Sequence, residues 1–213
     1  MHLETTGLFP QGFVTRYHNN DFEFDYDILD TLSYNDPINK VKTTQIDSRL
    51  NPNILYEDDR FNDLKIFIHN SIEHYLERIH EIPYEEFWIE SSWINVCPTN
   101  GNQYQHCHRN SFFSGCYYLY SNPNEHPGLS FYKEEKSKVP FIGYYSNKQD
   151  FQFKDYAEMI VKTNDLVIFP SYMFHGHEIN KSNESRVSLA FNVLFNQPKE
   201  QAPRGWYHIR FEK

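Results

Sequence analysis

His106 and His108 stand one residue apart in the run Gln103-Tyr-Gln-His-Cys-His. In an extended strand alternate side chains share a face, so the two imidazoles would point the same way and could chelate one metal ion. The plain alternative is a pair of hydrogen-bonded or exposed histidines. A second run, Asp165-Leu-Val-Ile-Phe-Pro-Ser-Tyr-Met-Phe-His-Gly-His, carries an apolar strand into a proline and through aromatics to His175 and His177. A third imidazole beside the first two would complete a facial triad and leave coordination positions open. Otherwise the stretch is a buried aromatic turn with two ordinary histidines. In the third run, Arg186, Ser188, Ala190 and Asn192 fall on one face of a strictly alternating strand, with Val187, Leu189, Phe191 and Val193 on the other. Turned inward, Arg186 and Ser188 can bind a carboxylate, the guanidinium giving two parallel hydrogen bonds. Turned outward, Arg186 would pair with Glu184.

These residues need a scaffold of short strands. From Phe87 onward, β-like runs alternate with Asn, Pro, Gly and Ser: 87–96, 103–108, 113–120, 128–132, 158–162, 165–169, 186–195 and 206–211. About eight strands make a barrel wide enough for one small ligand. Upstream, Phe61, Leu64, Ile68, Ile72, Tyr75, Leu76 and Ile79 recur at spacings of three and four, which predicts a helix over 58–80 with Asp58 or Asp59 as its cap. A shorter helix is possible over 26–32. The expected architecture is mainly β with flanking helices: residues 1–86 form a helical support region, and 87–213 form a barrel covered on one face by the N-terminal helices. The whole chain, 1–213, is read as a single domain.

Composition narrows the function classes. Aromatic residues make up 17% of the 213 residues, which argues for a packed core. The formal charge of −9 speaks against a nucleic-acid partner, since phosphate contacts need clustered Lys and Arg. No apolar stretch approaches the roughly 20 residues needed to span a bilayer, and the first residues lack a basic segment followed by an apolar one. Cys97, Cys107 and Cys116 form no CxxC pair and are too few for a disulfide framework, which fits a reduced compartment. A cytoplasmic location without membrane contact is expected.

Taken together, the HxH strand, the Pro-led histidine some seventy residues later and the Arg-x-Ser strand resemble the 2-oxoglutarate- and Fe(II)-dependent oxygenases. The nearest likeness is to members of that superfamily found in marine bacteria and phages, where HxH precedes a Ser-Gly-Tyr-Tyr strand and a Phe-Pro-Ser-aromatic stretch precedes the distal histidine. The resemblance runs from Trp93 to Phe195. It implies a double-stranded β-helix (a jelly-roll or cupin-like barrel) and a metal centre on His106, His108 and His175. It further implies a 2-oxoglutarate site on Arg186 and Ser188 with Tyr117 or Tyr118, and a substrate pocket lined by Trp93, Asn95, Asn192 and His177. Fe(II) would be the metal, with 2-oxoglutarate and O2 as cosubstrates. The reaction implied is hydroxylation of a small molecule or peptide, with release of succinate and CO2.

The sequence departs from the wider superfamily at one position. Most members have HxD or HxE, and this chain has His108 there, so three neutral ligands would leave the metal one unit more positive. Glu125 and Glu134 are the carboxylates that could substitute, without the expected spacing. His177 remains an alternative to His175. Two other function classes fit part of the pattern: a cupin-type three-histidine dioxygenase that uses no 2-oxoglutarate, and a jelly-roll binding module without catalysis. The glutamate that a cupin carries shortly after HxH is missing, with Asn110 and Ser111 in its place.

Overall fold

A computed structural model of the protein describes residues 2–7, 13–34, 46–48, 53–132, 156–198 and 211. Eleven strands are formed among these residues: β1 (His2–Gly7), β2 (Phe13–His18), β3 (Ile46–Asp47), β4 (Glu86–Cys97), β5 (Gln103–His106), β6 (Phe113–Tyr120), β7 (Leu129–Tyr132), β8 (Tyr156–Met159), β9 (Asp165–Pro170), β10 (Phe174–His177) and β11 (Arg186–Asn196). They make two antiparallel sheets. The larger has the order β1-β2-β9-β6-β11-β4-β3, and the smaller the order β5-β10-β7-β8.

Each face of the larger sheet has its own apolar cluster. On one side Tyr117, Leu189, Phe191 and Val193 pack against Phe61, Leu64, Ile68, Ile72 and Tyr75. Most of these partners come from helix α3 (Asn62–His74), which continues as a π turn at Tyr75–Ile79. The helix exists because its apolar residues recur at helical spacing, and Asp58 caps the preceding turn by accepting from the Arg60 N–H at 3.0 Å. On the other side Val14, Tyr118, Val167 and Phe169 meet Leu129 and Phe131 of the smaller sheet, so the second core lies between the sheets. Gly115 allows the closest approach across β6. A Cβ there would lie 2.1 Å from the Phe191 ring, so only glycine lets that ring cross the strand.

The expected β architecture is present, with helices only a small part of it. The helical reading of residues 1–86 needs correction. α3 and two single-turn helices, α1 (Ile28–Thr31) and α2 (Ile54–Glu57), are there, but β1 and β2 pair as a hairpin and extend the large sheet through β2 and β9, and β3 adds to β4. The strand expected at 103–108 stops at His106, and β10 forms where a turn through aromatics was expected. The strand expected at 206–211 lies outside the described residues apart from Phe211.

Candidate metal centre

Backbone register brings two of the histidines together. β10 runs antiparallel between β5 and β7, and His175 stands directly across from His106. Opposed residues in such a ladder hold their Cβ atoms about 5 Å apart. The His106 and His175 ring centroids are 4.4 Å apart. His108 reaches the same place from just beyond the end of β5, with its ring 5.3 Å from His106 and 5.1 Å from His175. One nitrogen from each ring lies within 4.8 Å of the others, and no other group of three or more His, Cys, Asp or Glu among the described residues is arranged to hold a metal ion.

Hydrogen bonds fix which nitrogens face inward. His106 Nδ1 lies 3.0 Å from the Tyr104 carbonyl, and His175 Nδ1 lies 2.9 Å from the Met173 carbonyl. A carbonyl oxygen only accepts, so each ring donates from Nδ1 and carries its lone pair on Nε2. His108 Nδ1 lies 2.6 Å from Asn192 Oδ1 and 3.0 Å from Ser114 Oγ. Burial holds His175 well below the ordinary imidazole pKa, reinforced by the neighbouring His106 and His108. Neutral imidazoles with exposed lone pairs are the state a metal requires, so this donor set fits a divalent cation.

A cavity between the sheets runs from this triad to Arg186 and Ser188, with Trp93, Asn95, Tyr118 and His177 in its walls. Arg186 is 3% exposed and turned inward, so the surface pairing with Glu184 does not form; Glu184 accepts from the Tyr120 hydroxyl instead. The guanidinium donates from Nη1 to the Pro127 carbonyl at 2.7 Å and lies 5.4 Å from the Tyr118 ring centroid. Its Nε and the Tyr118 hydroxyl are both buried without a hydrogen-bond partner. Leaving such groups unpaired costs about 1–3 kcal/mol each, more when charged. Two orphaned donors at one end of a cavity are the complement of an anion. Burial also keeps the Tyr118 hydroxyl and the Cys116 thiol protonated, although Arg186 pulls both the other way.

Several residues sit differently from the sequence reading. Tyr117 belongs to the opposite face, where its hydroxyl donates to Asn164 Oδ1 at 3.0 Å within the helix-side core. Period-two geometry requires this once Tyr118 faces the cavity. Asn192 stands behind His108 rather than along the cavity wall. His177 lies across from Gln103, and burial together with the nearby Arg186 lowers its pKa well below the usual value. Trp93 donates from its indole N–H to Asn95 Oδ1 at 3.1 Å. Glu125 accepts from the Ser182 hydroxyl at 3.2 Å and is not part of the triad cluster, while Glu134 lies outside the described residues. Sequence reasoning missed Gln103, Ser114 and Cys116 in the cavity lining. For Cys116 a signal was available: it is two residues from Tyr118 and therefore on the same face.

A protein-family model described as "Putative 2OG-Fe(II) oxygenase" matches residues 91–192. No curated protein matches the chain. Among solved structures, a prolyl-4-hydroxylase from Pseudomonas putida aligns at a TM-score of 0.53 and 12% identity, covering 88% of this chain and 94% of that one. HygX from Streptomyces hygroscopicus, solved with nickel, 2-oxoglutarate and hygromycin B, aligns at 0.57 and 12%, over 95% of this chain and 87% of that one. SnoN, a non-heme alpha-ketoglutarate-dependent epimerase of nogalamycin biosynthesis, aligns at 0.59 and 12%, over 86% and 77%. At such identities the structural likeness speaks for the fold, and the matched stretch, which reaches from the strand of Trp93 to Asn192, speaks for the family. Over residues 91–192, just under half of its length, this chain is similar to the 2-oxoglutarate/Fe(II)-dependent oxygenases.

Proposed function

We propose that His106, His108 and His175 hold Fe(II) through Nε2, and that Arg186, Ser188 and Tyr118 hold the far carboxylate of 2-oxoglutarate. The observation that carries this reading is a single cavity with a three-imidazole cluster at one end and two buried, unpartnered donors at the other. A dicarboxylate that also carries a keto group can satisfy both ends at once. When bound there, Fe(II) with 2-oxoglutarate and O2 supplies the oxidising chemistry, with succinate and CO2 as coproducts and hydroxylation of the substrate as the outcome.

The chain's own share is positioning and charge. Arg186 neutralises the buried carboxylate, and its unpartnered Nε together with the Tyr118 hydroxyl can donate to it. Tyr118, Leu129 and Phe169 wall the cavity and exclude water, which strengthens those contacts. With three neutral ligands the metal keeps its full double charge, so the protein balances a dianionic cosubstrate without a carboxylate of its own. Trp93, Asn95 and His177 are placed to shape the substrate side. The substrate is a small molecule or a peptide, classes represented by hygromycin B in HygX and by a peptide fragment in the prolyl hydroxylase of Trichoplax adhaerens. The chain acts as one domain in the cytoplasm, and no described helix is long and apolar enough to cross a membrane.

The test is turnover. Protein loaded with Fe(II) without oxygen and then given O2 and 2-oxoglutarate should release succinate, at a rate raised by a true substrate. Metal binding without any 2-oxoglutarate binding would instead favour the cupin-type chemistry.

A further inference from the structure

The three histidines are not held alike. His106 and His175 sit in register across a ladder, and each donates Nδ1–H to the carbonyl two residues before it, Tyr104 and Met173. His108 lies past the last residue of β5, where its backbone N–H donates to the Ser171 carbonyl at 2.9 Å. Its ring is oriented by side chains from other strands.

Asn192 Oδ1 on β11 lies 2.6 Å from His108 Nδ1 and also accepts from Ser114 Oγ at 2.9 Å. The Asn192 amide nitrogen donates to Ser91 Oγ on β4 at 3.2 Å, which turns the oxygen toward the imidazole. Ser114 Oγ is in turn 2.7 Å from Ser171 Oγ, which accepts from Ser111 Oγ at 2.8 Å. Asn192, Ser114 and Ser171 are buried, so each bond lies in a low-dielectric setting where geometry is strongly enforced.

We propose that Asn192, braced by Ser91 and Ser114, is the positioning residue for the second metal ligand: it fixes the His108 tautomer and aims Nε2 at the metal. The inference rests on the metal-ligand reading given above. It makes the amide of Asn192 the outer partner that a metal-bound imidazole needs, in a centre whose own ligands bring no negative charge. Such outer partners typically contribute ten- to a hundredfold in metal affinity.

Co(II) binding to the full chain, followed by calorimetry and by the visible absorption of the bound ion, tests the role. N192L keeps the volume and removes the acceptor; it should weaken Co(II) at least tenfold and alter the absorption envelope. N192D keeps the acceptor and should restore both. S114A, which removes only one partner of the ring, should weaken binding about threefold and covers the case in which N192L does not fold. Wild-type affinity and spectrum in N192L, or in S114A if N192L is unfolded, would overturn the proposal, as would N192D behaving like N192L. H106A separates the two readings. If it binds Co(II) as wild type does, the triad assignment itself is wrong and the proposal goes with it; if it loses Co(II) while N192L does not, only the role of Asn192 is lost.

Discussion

β6 and β11 each present two unlike faces, and the contrast is sharpest between neighbours. Tyr117 and Tyr118 are adjacent and fully buried, yet Tyr117 packs among apolar side chains under α3, while Tyr118 faces a cavity with its hydroxyl unpartnered. On β11, Leu189, Phe191 and Val193 join the helix-side core, while Arg186, Ser188 and Ala190 line the cavity. One face is filled with apolar area, worth about 25 cal/mol per Å² removed from water. The other keeps polar groups poised and incompletely satisfied, a state that destabilises a fold until a ligand completes it. The sheet is thus divided between stability and recognition, residue by residue.

That division can be broken from either side. The largest effect belongs to His175→Ala: divalent metal binding, read by calorimetry, should fall a hundredfold or more, because two imidazoles remain where three converged. Phe191→Ala should do the opposite. It should lower unfolding free energy by about 3–5 kcal/mol in urea titrations while leaving the folded protein's metal affinity within about threefold. Arg186→Ala should weaken 2-oxoglutarate binding to the metal-loaded protein by roughly a hundredfold, the scale of a lost hydrogen-bonded charge, and change metal affinity little. Equal loss of both would mean that the cavity does not separate its two ends.

The smallest effect concerns pH on the packed side. His80 contacts the rings of Tyr75, Phe13 and Phe113, and burial lowers its pKa below 6.5. The folded state therefore prefers the neutral ring, and this preference adds stability that is complete above about pH 6.5. As the pH falls below that value the unfolded chain takes up the proton first, and the contribution is lost. His80→Phe should make the urea midpoint less sensitive to a change from pH 7.5 to 5.5. An unchanged pH slope would contradict this role.

Much of the site was legible because strands repeat every two residues. Arg186, Ser188 and Ala190 could be assigned to one face of β11 from alternation alone, and the long helix from its apolar stripe. What periodicity cannot supply is which of two adjacent tyrosines faces inward, since that depends on the opposing sheet, and so Tyr117 and Tyr118 stayed equivalent. His108 was expected to share a face with His106 by strand geometry; it converges from beyond the strand's end, by contacts 84 residues away at Asn192. β1 and β2 carry no clear alternation and gain their stability by pairing with each other and with β9, a non-local term. β10 is a four-residue strand, Phe-His-Gly-His, set between two partners and too short to announce itself.

The most direct test is a crystal structure of the protein prepared without oxygen in the presence of Fe(II) and 2-oxoglutarate. It should show one metal ion bound by Nε2 of His106, His108 and His175, with the cosubstrate's far carboxylate on Arg186, Ser188 and the Tyr118 hydroxyl. Metal bound elsewhere, or a guanidinium that contacts no carboxylate, would contradict the two-ended cavity.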